Sequence, residues 1–353
     1  MDSIISDSYA VHFNEKAFQA LNSHLAQKKY SIVFILVDEN THELCLPNFM
    51  AEISGEYQFE IIEIESGEVN KNIETCIGVW EALSELGADR KSVMINLGGG
   101  VLTDMGGFIA STFKRGIDFI NVPTTLLSMV DASVGGKTGI DLGSLKNQVG
   151  VINQPVMVLV VPDFLDTLDN RQVRSGFAEM LKHGLIQNTA YWEALKDAES
   201  LEDMKNHILT SIQIKNKVVL QDPTEQHIRK ILNYGHTLGH AIESYFLENE
   251  SKEMLLHGEA ISIGMILEAY LSNKLLGLTN ESLEDIKTTF LNRYDKVEFL
   301  NDDIDNILKL MKYDKKNSHG KVNFVLLKSI GEPEFDVEIP VDLFSEAFAY
   351  YKV

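Results

Sequence analysis

Cysteine, proline and basic residues are all scarce in this chain of 353 residues. Its two cysteines, Cys45 and Cys76, are too few for a disulfide framework and are typical of a protein in a reducing cytosol. No apolar run reaches the length of about 18 residues that a transmembrane helix needs. The initial sequence MDSIISDSYAVHF lacks the basic and apolar regions of a signal peptide. We therefore expect a cytoplasmic protein with no membrane partner.

The charge balance is strongly acidic, which limits the kinds of partner. The chain has 52 acidic residues against 31 lysines and arginines, and its formal net charge is −21. Because non-specific nucleic-acid binding depends on basic side chains that neutralise phosphates, we expect no nucleic-acid partner. An anionic small molecule remains compatible with this composition, since a local basic pocket can lie inside an acidic surface.

The order of apolar patterns predicts two domains. The first half has short buried-strand patterns that alternate with helical patterns such as 70–87 and 102–114. These strand patterns cover 31–38, 59–66, 92–98, 118–123 and 156–161. Such alternation predicts an α/β N-terminal domain with a Rossmann-like, mostly parallel sheet over residues 1–162.

The second half has a different pattern. Long segments with helical periodicity cover 172–187, 202–221, 225–247 and 256–277, and the one clear strand pattern is VNFVLL at 322–327. We therefore expect a mainly α-helical C-terminal domain over residues 163–353.

A run of three glycines, Gly98 to Gly100, directly follows the strand pattern 92–97. Glycines let the backbone approach a ligand closely, and the start of the next helix favours an anion such as a diphosphate. The run is not the GxGxxG fingerprint, and a tight strand-to-helix turn is the alternative. Asp38 ends another strand, where it would bind ribose hydroxyls or cap a helix. Glu68 and Lys71 would flank an adenosine or belong to a solvated helix start.

A second glycine-rich segment, GGKTG at 135–139, resembles the end of a P-loop. A P-loop needs a glycine where this chain has Asp131, so we reject that interpretation. Lys137, Lys146 and Asn147 nevertheless combine cations and a polar amide with glycine-rich backbone, which suits a phosphorylated substrate. A flexible loop with surface lysines is the alternative.

The spacing of histidines indicates a metal site. His236 and His240 lie four residues apart on one face of a predicted helix, and His257 follows at another predicted helix start. Glu179 lies in an amphipathic helical pattern. Imidazoles with one carboxylate suit Zn²⁺ with an open coordination position. Spacing alone makes His236 and His240 the ligand pair.

Five blocks in order resemble a known family. These are GGGVLTDMGGF (98–108), RGIDFINVPTTLLSMVDASVGGKTGIDLGSLKNQVGVINQP (115–155), GFAEMLKHG (176–184), NYGHTLGHAIE (233–243) and LHGEAISIGM (256–265). They look like the signature blocks of the 3-dehydroquinate synthases, within the sugar-phosphate cyclase superfamily. The resemblance implies NAD and Zn²⁺ (or Co²⁺) as cofactors. It implies conversion of 3-deoxy-D-arabino-heptulosonate 7-phosphate to 3-dehydroquinate and phosphate in the shikimate pathway.

The resemblance also assigns roles to individual residues. NAD would be held by Asp38, Glu68, Lys71, Gly98, Gly99, Gly100, Asp104, Thr124, Thr125, Asp131 and Lys146. The metal would be held by Glu179, His236 and His257. The sugar-phosphate substrate would meet the catalytic residues Lys137, Lys182, Lys215, Arg229, Asn233 and His240, and the binding residues Arg115, Asn147 and Lys316 (or Lys315).

Two of these assignments go beyond spacing. The family pattern gives His240 to the substrate phosphate, and we follow it because three histidines with Glu179 would close the zinc site to substrate. Family dimers place the residue that matches Arg115 at the phosphate of the neighbouring subunit, which implies a homodimer.

The resemblance also implies a reaction course. The metal would lower the pKa of two vicinal hydroxyls, NAD⁺ would oxidise the ring carbon transiently, and phosphate would leave by elimination. Re-reduction, ring opening and an intramolecular aldol closure would follow. The departing phosphate is thought to act as its own base in this family.

Three alternatives stay open at this point. Another cyclase, such as a 2-deoxy-scyllo-inosose synthase, uses a substrate without a carboxylate, which would leave Lys215 and Arg229 without an anion to bind. A metal-dependent alcohol dehydrogenase would need no phosphate site and would consume NAD. A binding protein with a degenerate site is disfavoured, because every expected position has a competent residue type.

Overall fold

The computed structural model describes residues 3–143, 145–311, 317–318 and 321–353. The chain divides into two compact units, Met1–Val173 and Arg174–Val353. We describe each unit by itself. The domain ranges 1–162 and 163–353 drawn from the sequence stay a prediction of where the two functional parts divide.

The N-terminal unit combines a parallel sheet with helices. Its strands are β1 (Ile4–Ile5), β2 (Ala10–Phe13), β3 (Val33–Asp38), β4 (Phe59–Ile64), β5 (Val93–Gly98), β6 (Asp118–Pro123), β7 (Lys137–Leu142), β8 (Leu145–Ile152) and β9 (Met157–Val160). Its α-helices are α1 (Glu15–Lys28), α2 (Glu39–Leu44), α3 (Leu46–Ala51), α4 (Ile73–Glu85) and α5 (Gly100–Thr112), with α6 (Asn170–Gln187) beginning at its end.

Seven of these strands form one sheet in the order β1-β2-β9-β6-β5-β3-β4. Only β1 pairs antiparallel within it, and the other pairings described are parallel. Strands β3 and β5 are buried along almost their whole length, because helices cover a parallel sheet on both faces. The continuous apolar runs that predicted these strands are explained by this double burial.

The glycine-rich segment after β6, for which a flexible loop was the alternative, contains an antiparallel hairpin. Strands β7 and β8 pair from Lys137 opposite Ile152 to Leu142 opposite Leu145. The register shifts between Ile140 and Leu142, so the residue between them forms a β-bulge. The bulge turns the Asp141 side chain to a buried position.

The C-terminal unit is mainly helical. Its further helices are α7 (Thr189–Lys196), α8 (Leu201–Gln221), α9 (His236–Glu248), α10 (His257–Leu276), α11 (Asn280–Leu291), α12 (Asn301–Met311) and α13 (Asp342–Lys352). Strands β10 (Asn317–Ser318), β11 (Lys321–Ser329) and β12 (Glu332–Glu338) form an antiparallel sheet. The predicted combination of an α/β N-terminal part and a helical C-terminal part is confirmed.

One predicted helix is wrong in its extent. The sequence pattern indicated a single helix over 225–247, but a 3₁₀-helix covers Ile228–Asn233 and α9 begins only at His236. Gly235 between them has a φ of 78°, a left-handed conformation that interrupts helical backbone.

Within the described part of the chain, no helix is long and apolar enough to cross a membrane.

Candidate active site

The parallel sheet places several of the predicted cofactor residues at the carboxyl ends of its strands. The strand order reverses between β3 and β5, and a crevice outside the carboxyl ends at such a point is the usual ligand position in these sheets. Asp38 ends β3, Gly98 ends β5, and Thr124 follows β6. The structure therefore brings these three predicted cofactor residues to adjacent strand ends.

The glycine turn after β5 leaves no room for larger residues. A Cβ added at Gly98 would lie 1.9 Å from Cδ1 of Leu102, and one at Gly99 would lie 2.9 Å from Cγ2 of Thr125. Gly99 caps α5, and Gly100 is its first residue. Backbone N–H groups at a helix start attract anions, so this turn suits a diphosphate.

Other predicted residues at this edge also have structural roles. Asp38 is the N-cap of α2, and its Oδ1 accepts a hydrogen bond of 2.8 Å from the N–H of Thr41. The Thr125 hydroxyl accepts one of 3.2 Å from the N–H of Ser128. Asp131 lies in the π-helical turn Ser128–Ala132. Capping and ligand binding are compatible at Asp38, since the carboxylate has a second oxygen.

Two lysines lie in a network of carboxylates. Lys71 Nζ donates hydrogen bonds of 2.8 Å to Oδ2 of Asp104 and 2.8 Å to Oδ1 of Asn147. Lys146 Nζ lies 2.5 Å from Oε1 of Glu68. Burial alone would lower the pKa of Lys71, but the neighbouring carboxylates, Asp104 first among them, raise it above its usual range. Lys71 is therefore a buried, permanently charged group.

Lys137 and Arg115 are exposed. Lys137 begins β7. Arg115 ends a short 3₁₀-helix, Phe113–Arg115, with a φ of 70°. Its neighbour Lys114 is also left-handed, at 48°. Consecutive left-handed residues other than glycine are energetically unfavourable and concentrate at functional sites, so this turn presents Arg115 to solvent at a conformational cost.

The C-terminal unit contains the predicted metal cluster. Glu179 Oε1 lies 3.4 Å from Nε2 of His236 and 3.6 Å from Nε2 of His257. Around a tetrahedral zinc with bonds of about 2.0–2.2 Å, neighbouring donor atoms lie about 3.3–3.6 Å apart. The donor atoms of His236, His240 and His257 also lie within 4.8 Å of one another. The donor set therefore fits a divalent metal, and His240 borders it.

Neighbouring groups orient the imidazoles of His236 and His257 toward the position that a metal ion would occupy. Nδ1 of His236 lies 3.0 Å from the carbonyl oxygen of Tyr234. Because a carbonyl only accepts, Nδ1 bears the proton and Nε2 can bind a metal. Nδ1 of His257 lies 3.2 Å from Oε2 of Glu243 in the same way. Burial alone would lower the pKa of His257, but Glu243 and Glu179 raise it to about 10, so a metal there must displace a proton.

The remaining predicted residues of this unit are mostly buried. Lys182 is paired with Oε2 of Glu179, the carboxylate oxygen that does not face the histidines. Lys215 on α8 and Arg229 are 6% and 2% exposed. The Arg229 guanidinium donates to the carbonyl of Pro223 at 2.7 Å, and Asn233 donates to Glu225 at 2.5 Å. Lys316, and Lys315 as its alternative, lie outside the described residues.

Sequence reasoning missed several carboxylates behind these residues. Asp222 accepts hydrogen bonds from the N–H groups of Gln226, His227 and Arg229 at 3.0, 2.7 and 3.1 Å, and so fixes the backbone that carries Arg229. Glu243 was also missed, although it lies seven residues after His236 on one helix face. That spacing was a usable signal, whereas nothing in the sequence alone marked Asp222.

Comparisons with known proteins identify the family of the chain. The family profile described as 3-dehydroquinate synthase N-terminal matches residues 61–175, and its C-terminal counterpart matches residues 176–317. The 3-dehydroquinate synthase of Parabacteroides distasonis is 41% identical over 336 residues, which are 94% of each chain.

Solved structures share the fold over its whole length. A 2-deoxy-scyllo-inosose synthase complexed with carbaglucose-6-phosphate, NAD⁺ and Co²⁺ has a TM-score of 0.86 at 24% identity, with 99% of both chains covered. ValA, a 2-epi-5-epi-valiolone synthase from Streptomyces hygroscopicus with NAD⁺ and Zn²⁺ bound, has a TM-score of 0.82 at 25% identity, with 100% of this chain and 99% of that chain covered.

The matching profiles and the fold shared with these enzymes thus place the chain in the class of sugar-phosphate cyclases. Within this class, the chain belongs to the 3-dehydroquinate synthase family and is an enzyme of that type.

Proposed function

We propose that this enzyme converts 3-deoxy-D-arabino-heptulosonate 7-phosphate to 3-dehydroquinate and phosphate, with NAD and a divalent metal as cofactors. The observation that supports this most is the approach of the Glu179 carboxylate to His236 and His257, at 3.4 and 3.6 Å. That spacing suits a metal with room left for substrate. When bound, NAD⁺ accepts and returns a hydride, and the metal acidifies hydroxyl groups.

The chain's own residues bind and orient the substrate. Arg229 offers a planar fork for the carboxylate, and Lys215 offers a second cation. Both are buried, at 2% and 6% exposure. A guanidinium fork and an ammonium group are well suited to binding a carboxylate, so we assign both to the carboxylate of the substrate.

The substrate phosphate would be bound by lysine, amide and imidazole groups. We assign Lys137, Asn147, Asn233 and His240 to it. Lys182, which contacts Glu179, would lie near the reacting hydroxyls. The absence of an assigned carboxylate base agrees with a phosphate that removes the proton itself as it leaves.

The alternatives are less well supported. The 3-dehydroquinate synthase relative is 41% identical, whereas the inosose and valiolone synthases are 24% and 25% identical. A dehydrogenase that consumes NAD would have no use for the phosphate-binding residues.

The proposal is tested by phosphate release from the named substrate. Metal-stripped protein is given catalytic NAD⁺, with and without added Zn²⁺. We expect metal-dependent release with many turnovers per NAD and no accumulation of NADH. Release from glucose 6-phosphate or sedoheptulose 7-phosphate instead would assign a sister cyclase, and accumulating NADH with an alcohol would assign a dehydrogenase.

We further propose a homodimer in which Arg115 acts on the partner's substrate phosphate. The exposed position and left-handed backbone of Lys114 and Arg115 support this role. Light scattering would measure the mass. Mixing Arg115→Ala with Lys182→Met protein would then regain activity, since one of the two sites in a mixed dimer is complete. No regain in a mixture shown to exchange subunits would oppose the proposal.

A further inference from the structure

Asp141 is a buried carboxylate that none of the roles above uses. It occupies the bulge of β7 and is 8% exposed. Its Oδ1 accepts a hydrogen bond of 2.6 Å from the N–H of Asn147, and its Oδ2 lies 3.7 Å from Nζ of Lys146. The two residues that its carboxylate contacts are adjacent in sequence and have different assigned ligands, the cofactor for Lys146 and the substrate phosphate for Asn147.

The contacts of Asp141 form a closed circuit with Lys71. The Asn147 side chain accepts from Lys71 Nζ at 2.8 Å. The carbonyl of Lys71 in turn accepts from the N–H of Asp141 at 2.9 Å. Asp141 therefore holds the backbone of Asn147, and Lys71 holds its side chain.

The backbone of Asn147 has an unfavourable conformation that these contacts can stabilise. Its φ is 51°, in the left-handed region that residues other than glycine seldom adopt. Such a conformation persists where surrounding contacts impose it. The 2.6 Å hydrogen bond to Asp141 lies at this residue's own N–H, so the carboxylate stabilises the conformation that presents the amide.

Charge gives Asp141 a second effect, on Lys146. Lys146 Nζ lies between Glu68, at 2.5 Å, and Asp141, at 3.7 Å. Two anions on different elements restrict a lysine ammonium group more than a single anion does. If the ammonium group moves toward one anion, its attraction to the other weakens. Burial raises the pKa of Asp141, and the ammonium groups of Lys146 and Lys71 oppose that rise.

We propose that Asp141 is a positioning residue that holds Lys146 and Asn147 in the conformations that bind cofactor and substrate. This role rests on the proposed function, from which the ligands of those two residues come. A β-bulge that turns a side chain toward functional groups is a common arrangement beside active sites.

Two variants separate the two contacts. Asp141→Asn keeps an oxygen that accepts from the Asn147 N–H but removes the charge beside Lys146. We expect its NAD dissociation constant, measured by equilibrium dialysis, to rise about tenfold with a smaller change in KM for the sugar phosphate. Asp141→Ala removes both contacts, so both constants are expected to rise about tenfold.

A double-mutant cycle distinguishes positioning from a loss of fold. If Asp141 acts on NAD through Lys146, Asp141→Asn has little further effect in a Lys146→Met background. A purely structural role would instead give additive effects. Leu142→Ala is the matched control, since Leu142 is the next residue and is 58% exposed. We expect wild-type constants from it.

The wild-type protein is measured first. If it neither binds NAD nor releases phosphate, the proposed function fails. If the wild type is active and both Asp141 variants stay within twofold of it, only the role of Asp141 is overturned. Additive effects in the cycle would overturn it as well.

Discussion

Replacing Glu243 with glutamine tests whether the histidine cluster is a metal site. The Glu243 side chain is buried, and its Oε2 lies 3.2 Å from Nδ1 of His257. Glutamine retains the shape and an oxygen that accepts from Nδ1–H, so the ring keeps its orientation. The substitution removes the negative charge that makes the imidazole a stronger metal ligand. Removing such a carboxylate behind a metal-bound histidine typically weakens metal affinity about 10–100-fold, or about 1.4–2.7 kcal/mol.

Competition with a chelator measures this effect directly. Zn²⁺ affinity is determined for the wild type, for Glu243→Gln and for Glu248→Gln, and Co²⁺ absorption reports the coordination geometry independently of activity. Glu248 is on the same helix but exposed, so its replacement removes the same charge without touching the cluster. Equal affinities for all three proteins would refute the argument that Glu243 supports a metal-binding His257.

Three further predictions concern both units. Gly98→Ala forces Leu102 out of its position, since the new Cβ would lie 1.9 Å from its Cδ1. In urea unfolding, we expect the free energy of unfolding to fall by about 1–3 kcal/mol. The control variant Gly78→Ala, in open space on α4, should show no such loss. Glu179→Gln should reduce phosphate release and Co²⁺ binding by more than the 10–100-fold typical of a residue behind a ligand, and retention of both would contradict its ligand role. Burial alone would raise the pKa of Asp222, but backbone donors lower it. Its stabilisation is therefore present above the unfolded pKa of about 3.9 and lost as the pH falls through the lower folded value. The stability gap between wild type and Asp222→Ala, about 1–3 kcal/mol at pH 7, should narrow below about pH 4, and a gap independent of pH would exclude this cause.

Local patterns predicted the central strands of the sheet well because these strands are buried on both faces. The run SIVFILVD corresponds to the strand Val33–Asp38, and SVMINLG corresponds to Val93–Gly98. The hairpin of β7 and β8 could not be found in this way. Gly139 and Gly150 face each other across it, and a Cβ at Gly150 would lie 2.2 Å from the carbonyl oxygen of Thr138. Glycines that permit close strand pairing resemble loop glycines in a sequence.

The site was only partly predictable for a similar reason. Helical spacing brought His236 and His240 to one face, but the approach of Glu179 to two histidines depends on the packing of separate helices. Spacing alone favoured His240 over His257 as a ligand, and the choice of His257 came from the family resemblance. The structure places both near His236, so their separate roles stay a prediction.

The residues that sequence reasoning missed are all acidic, and the composition explains why. With 52 acidic residues in the chain, one more aspartate or glutamate carries little information by itself. Most of those that the structure describes are exposed or half-buried, because charged side chains are rarely fully buried unless they are paired. Asp141, Asp222 and Glu243 are instead 8%, 5% and 6% exposed, and each accepts a hydrogen bond from a residue assigned to substrate, cofactor or metal, or from its backbone. A buried carboxylate must be paired to offset its desolvation. In this enzyme the partners are residues that we assign to binding, so carboxylates of this kind can be recognised only when burial and hydrogen bonding are known.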